Sequence, residues 1–143
     1  MAGVRRGARS VLKWFAPLMV VAIVVQILLA GEGIFGLKNV GKLDDAKTLD
    51  AHRWLGFFIT EPGALLFLIT ALLAWHPNPR IRWISIGLPI LTFIQLILAG
   101  GGRWVGMFHP LVAFILLAGY GWLSGQLHRE RGEVPETTPV TAP

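Results

Sequence analysis

Four apolar runs, over about residues 14–34, 50–75, 82–100 and 105–127, constrain this chain more than any other feature. Each meets the ~20 residues that a helix needs to cross the hydrocarbon core of a bilayer. Inside lipid every backbone N–H and C=O must find its partner within the protein, so segments of this length are helices. Only 15% of residues are charged and the mean hydropathy is +0.61, against about 25% charged in a soluble domain. The expectation is an all-α integral membrane protein, a four-helix up-down-up-down bundle whose first partner is the lipid bilayer.

The polar segments fit between those runs. Residues 1–13 read as a basic tail carrying Arg5, Arg6, Arg9 and Lys13. The run that follows is too long for a signal-peptide core of about 7–15 residues, and is read as a retained helix. Residues 35–50 form a polar loop, His76-Pro-Asn-Pro79 a tight turn, and 128–143 a tail with little that is apolar, expected to be disordered. The net charge of +5 does not call for nucleic acid, because the basic residues sit at the ends of the apolar runs. One side carries eight Lys and Arg: the tail, Arg80, Arg82, Arg129 and Arg131. The other carries five: Lys38, Lys42, Lys47, Arg53 and Arg103. The positive-inside bias then predicts both termini in the cytoplasm of a bacterial inner-membrane protein with several spans.

The chain also repeats itself. Gln26-Ile-Leu-Leu-Ala-Gly-Glu-Gly33 matches Gln95-Leu-Ile-Leu-Ala-Gly-Gly-Gly102 at an offset of 69 residues, and Lys13-Trp14 matches Arg82-Trp83 at the same offset. His52 opens the second run as His109 opens the fourth, across a connection about 12 residues shorter in the second copy. The reading is a duplicated two-helix unit with one histidine in each copy.

Ionisable residues in membrane segments are rare and tend to be functional. Two imidazoles facing each other across a bundle can clamp one metal. The cofactor that takes two trans nitrogen ligands in a flat slot is haem. With no cysteine in the chain, covalent haem attachment, iron–sulfur clusters and thiol chemistry are excluded, so the cofactor expected is a non-covalent haem b held by His52 and His109. Gly56 and Ala113, one turn below the histidines, would leave room for it, as would Ala30, Gly31, Gly33, Ala99, Gly100, Gly101 and Gly102 at the ends of the first and third runs. Arg53 and Arg103 are candidates to pair with its propionates. Gln26 and Gln95 are read either as interhelical hydrogen-bond formers or as donors to an axial histidine or a quinone carbonyl. Met107, two residues from His109, would face away. His76 and His128 are read as solvated residues. Glu61, followed by Pro62-Gly63 in mid-run, is either a protonated group bonded to carbonyls freed by the proline or a proton relay or partner-helix contact.

One tension is visible in the numbering. His52 lies about 23 residues from Trp75, but His109 only about 13 from Trp122. A shared haem therefore requires the fourth helix to continue to about Leu127, or the second to tilt or kink at Pro62.

Gln-x-x-Leu-x-Gly ending the first and third runs, with His52-Arg53 and a histidine opening the fourth, resembles one four-helix half of the haem A synthase family. His52-Arg53-Trp54-Leu55-Gly56 and His109-Pro110 are also similar to a family of small bacterial four-span proteins. The resemblance covers about residues 14–127 and implies a haem between His52 and His109. The chain departs from haem A synthase in having one half only. It also has Leu49, not glutamate, three residues before the first histidine. Haem binding follows from the resemblance and haem modification does not. The expected role is one-electron transfer with a quinol or a membrane redox partner. The alternative is a non-haem accessory or assembly subunit of a larger membrane complex. A carrier is the weaker third reading, since carriers favour inverted repeats.

Overall fold

A computed structural model describes residues 2–36 and 47–130. The expected loop residues Lys38, Lys42, Asp44 and Asp45, and the tail from Arg131 onward, lie outside the described residues. Helix α1 spans Ala2–Phe35. A single 3-10 turn, Lys47–Leu49, leads into α2, Asp50–Phe58. A π turn, Ile59–Gly63, joins α2 to α3, Ala64–Ala74. Then come α4, Pro79–Gly100, the short α5, Gly102–Gly106, and α6, His109–Arg129. Taken as continuous rods, Ala2–Phe35, Lys47–Ala74, Pro79–Gly100 and Gly102–Arg129 are four helices long and apolar enough to cross a membrane. Among the described residues there is no strand.

Local chemistry explains most of the boundaries. Asn78 caps α4 by accepting from the Arg80 N–H at 3.0 Å, with Pro79 in the first turn where its missing N–H costs nothing. Gly102 stands at φ +75°, a left-handed conformation that breaks the chain between α4 and α5. Pro62 cannot donate to the Phe58 carbonyl and its ring would collide with it. The helix widens there instead, and the Ala64 N–H reaches back five residues to Ile59. Trp75 ends α3 at φ 35°, unusual for a residue with a side chain. Arg9 holds that end: its Nε donates to the Ala74 carbonyl at 3.1 Å and its Nη2 to Trp75 at 3.4 Å. Arg82 lies over the Trp75 ring at 4.9 Å.

The four rods pack around one core. Helix α1 lies against α3 and α6, and α4 against the same two, so α3 and α6 sit across a diagonal. Buried Leu12, Ala16, Met19 and Ile23 of α1 meet Phe67 and Ala71 of α3, Ile81 and Leu88 of α4, and Leu116, Tyr120 and Leu123 of α6. Phe67 is central, its ring 5.2 Å from Phe15 and 5.1 Å from Tyr120. Gly119 lets Leu88 pack close, since a Cβ there would stand 2.5 Å from Leu88 Cδ2. Thr92 Oγ1 donates to the Leu88 carbonyl, so at 3.3 Å it must accept from the Tyr120 hydroxyl, a buried tie between α4 and α6.

Three expectations need correcting. The basic segment is not a tail ahead of the helix: from Ala2 onward it forms the first turns. Ala8 and Lys13 are buried, and Arg9 is tied to the end of α3. Residues 128 and 129, expected in the tail, belong to α6. His76 is not solvated: it is 3% exposed, its Nδ1 accepts from the Asn78 N–H, and its Nε2–H donates to Glu130 at 2.9 Å. The turn 76–79 folds under the bundle end because the carboxylate of Glu130 gives the ring a partner there. His128 is exposed, its Nδ1–H donating to Ser124 and its ring edge-on to Trp14.

Candidate functional site

The two histidines come together. Their ring centres are 6.3 Å apart, at an interplanar angle of 77°. His52 is in the second turn of the α2 rod and His109 is the first residue of α6. The depth mismatch read from the numbering is absorbed on both sides, because α6 runs on to Arg129 and the second rod carries an extra residue in its π turn at Pro62.

Each imidazole is held by the same two-way clasp. His52 Nδ1 donates to the Gln26 backbone carbonyl at 3.0 Å, and Gln26 Nε2 donates to the His52 backbone carbonyl at 2.7 Å. His109 Nδ1 donates to the Gln95 carbonyl at 3.2 Å, and Gln95 Nε2 to the His109 carbonyl at 2.7 Å. A carbonyl can only accept, so Nδ1 carries the proton in both rings. In a neutral ring this tautomer puts the lone pair on Nε2, the nitrogen that can bind a metal, oriented by a bond from the other nitrogen; at His52 the Gln26 Nε2 amide also lies 3.5 Å from that atom.

The spacing suits one metal atom between the rings. Two opposite imidazole nitrogens, each about 2 Å from a shared metal, set their ring centres about 6 Å apart. Among the described residues no group of three or more His, Cys, Asp or Glu side chains could hold an ion. A metal held by protein atoms alone wants three or four such ligands. A haem brings four nitrogens of its own and asks the protein for two, so this donor set fits a haem better than a bare ion.

Other residues expected at the site are placed differently. Gly56 does not face open space: a Cβ there would stand 2.6 Å from Gln26 Nε2, so its bare face admits the glutamine that clasps His52. Ala113 is half-buried one turn along α6. Gly33 is taken up by Leu49 and the Thr48 carbonyl, and Gly101 by Val105, while Gly31, Gly100 and Gly102 have nothing within 4 Å. Arg53 is exposed and pairs with Asp50 at 3.3 Å, and Arg103 lies over Trp104 at 5.9 Å. Met107 is exposed. Glu61 lies nine residues beyond His52 on the exposed side of the π turn, away from the pair. The Oε1 atoms of Gln26 and Gln95 are buried with no hydrogen-bond partner among the described residues. An unpartnered amide oxygen costs about 1–3 kcal/mol, so both glutamines call for a donor at the same place in each half. Reading the sequence for ligands missed this reciprocal use of backbone and side chain, although the paired Gln and His at matched positions were its signal.

No family model, no curated protein and no solved structure matches this chain.

Proposed function

We propose that the chain is a membrane-embedded b-type haem protein in which His52 and His109 are the axial ligands of one haem. The observation that carries this is the matched clasp, which engages Nδ1 of both rings and holds their centres 6.3 Å apart, a spacing that suits a shared metal. When bound, the haem would supply one-electron transfer, with a quinol or a membrane redox protein as partner. The chain's own part is to hold both rings in the ligating tautomer and to fix their orientation through Gln26 and Gln95. Arg53, paired with Asp50, and Arg103, over Trp104, stand at the same end of their rods. The repeated Gln–His unit supports a duplicated two-helix origin and an up-down-up-down course. The basic bias supports cytoplasmic termini and histidines toward the outer face of a bacterial inner membrane. The motif resemblance to one half of haem A synthase agrees with this reading.

The test is a reduced-minus-oxidised absorption spectrum of protein purified from haem-replete cells. Two axial imidazoles should give a low-spin spectrum with weak carbon monoxide binding. His52→Ala and His109→Ala should each abolish it, and His128→Ala should leave it intact. A colourless wild-type preparation would sink the proposal in favour of an accessory or assembly subunit.

A further inference from the structure

Two grooves meet at the N-terminal end of α1. One, of about 440 Å³, is lined by Ala2, Arg5, Arg6 and Arg9. The other, of about 420 Å³, is lined by Val4, Arg5, Leu72, Leu73 and Trp75. Arg5 belongs to both. A basic half and an apolar half therefore join at one side chain, between two helices that each carry a membrane-length apolar stretch. Arg5 and Arg6 are exposed and pair with no carboxylate among the described residues. Arg9 is fixed at the rim by its bonds to the Ala74 and Trp75 carbonyls. The apolar wall is open as well, with Val4, Leu72, Leu73 and Trp75 all exposed. Leu72 and Leu73 are in the last turn of α3, and Trp75 follows it, the level at which aromatic side chains mark a membrane–water boundary.

A soluble anion would satisfy the arginines and leave the apolar wall bare. A purely apolar ligand would do the reverse. We propose that this junction binds one phospholipid with an anionic headgroup, its phosphate between Arg5 and Arg6 and one acyl chain along Val4, Leu72, Leu73 and Trp75. Basic pockets between membrane helices suit such headgroups, and each basic side chain near an anionic surface is worth about 5-fold in affinity. The site needs only a membrane-embedded chain and is independent of the haem.

The full chain in neutral detergent, titrated with phosphatidylglycerol or phosphatidylcholine, tests this by native mass spectrometry and thermal melting. Phosphatidylglycerol should be retained and should raise the melting temperature, whereas phosphatidylcholine should do neither. The double variant Arg5→Gln/Arg6→Gln should weaken retention by about 25-fold, and Leu73→Gln should weaken it too, while Arg80→Gln should not. Equal retention of the two lipids, or unchanged retention in the double variant, would overturn the proposal. So would stabilisation by glycerol phosphate alone, which would mean a soluble-phosphate site. A change of oligomeric mass in the double variant with lipid retention unaltered would mark the groove as a contact between copies and overturn it equally.

Discussion

Gly56 and Gln26 act as one unit. Adding a methyl group at Gly56 would drive the Gln26 amide off the His52 carbonyl. Gly56→Ala and Gln26→Leu should therefore each destabilise the protein by about 1–2 kcal/mol. The double variant should cost little more than the larger single change, and melting curves of all three would show it. Additive losses would mean that Gly56 serves something other than the clasp. Gln95→Leu should behave like Gln26→Leu, and both should shift the midpoint potential of any bound haem, because each releases the histidine's backbone carbonyl and loosens the seat of its ring while the Nδ1–H bond to the backbone carbonyl remains. The Thr92–Tyr120 bond is a purely structural tie at the same scale. Tyr120→Phe should cost about 0.6 kcal/mol, the usual worth of a hydrogen bond between membrane helices, with no change in the spectrum.

Among the elements, the π turn at Ile59–Gly63 is the most informative. Such a turn holds one residue more than an α turn would. Deleting Glu61 in a Pro62→Ala background should let Ile59–Gly63 close into α geometry while α2 and α3 keep their places, so the variant should fold and keep any His52–His109 haem spectrum. Deleting Ile69 from α3 should rotate one end against the other and lose both. Loss of folded protein in the first variant as well would show that the wide turn itself is structural. Glu61→Gln separates charge from bulge: it should leave fold and spectrum unchanged, and a fall in redox turnover with the fold intact would mark a proton relay. Hydropathy located these rods well because lipid imposes long apolar runs. It located their ends poorly. The start of α1 at Ala2 was hidden because Arg5, Arg6 and Arg9 break the apolar pattern while remaining good helix formers. The burial of His76 was hidden because its partner, Glu130, lies at the far end of another helix.

Across the whole molecule, the histidine pair was readable from the matched Gln and His positions, which pointed to one place. The clasps were not, because half of each is a backbone carbonyl and sequence does not show where carbonyls turn. At 34 residues α1 is about 51 Å long, well beyond the ~30 Å hydrocarbon core, so one of its ends must stand in or past the headgroups. The arginines at its beginning make that the basic end. Reporter fusions after residue 143 and within 38–47 should place the termini in the cytoplasm and the 38–47 segment outside. An active cytoplasmic reporter in that segment would invert the orientation.

The clasps also divide the labour between the two sides of the pair. One is closed between α1 and α2, Gln26 with His52, and the other between α4 and α6, Gln95 with His109. Neither ring borrows its orientation from the other, so a fault on one side should leave the opposite imidazole where it was.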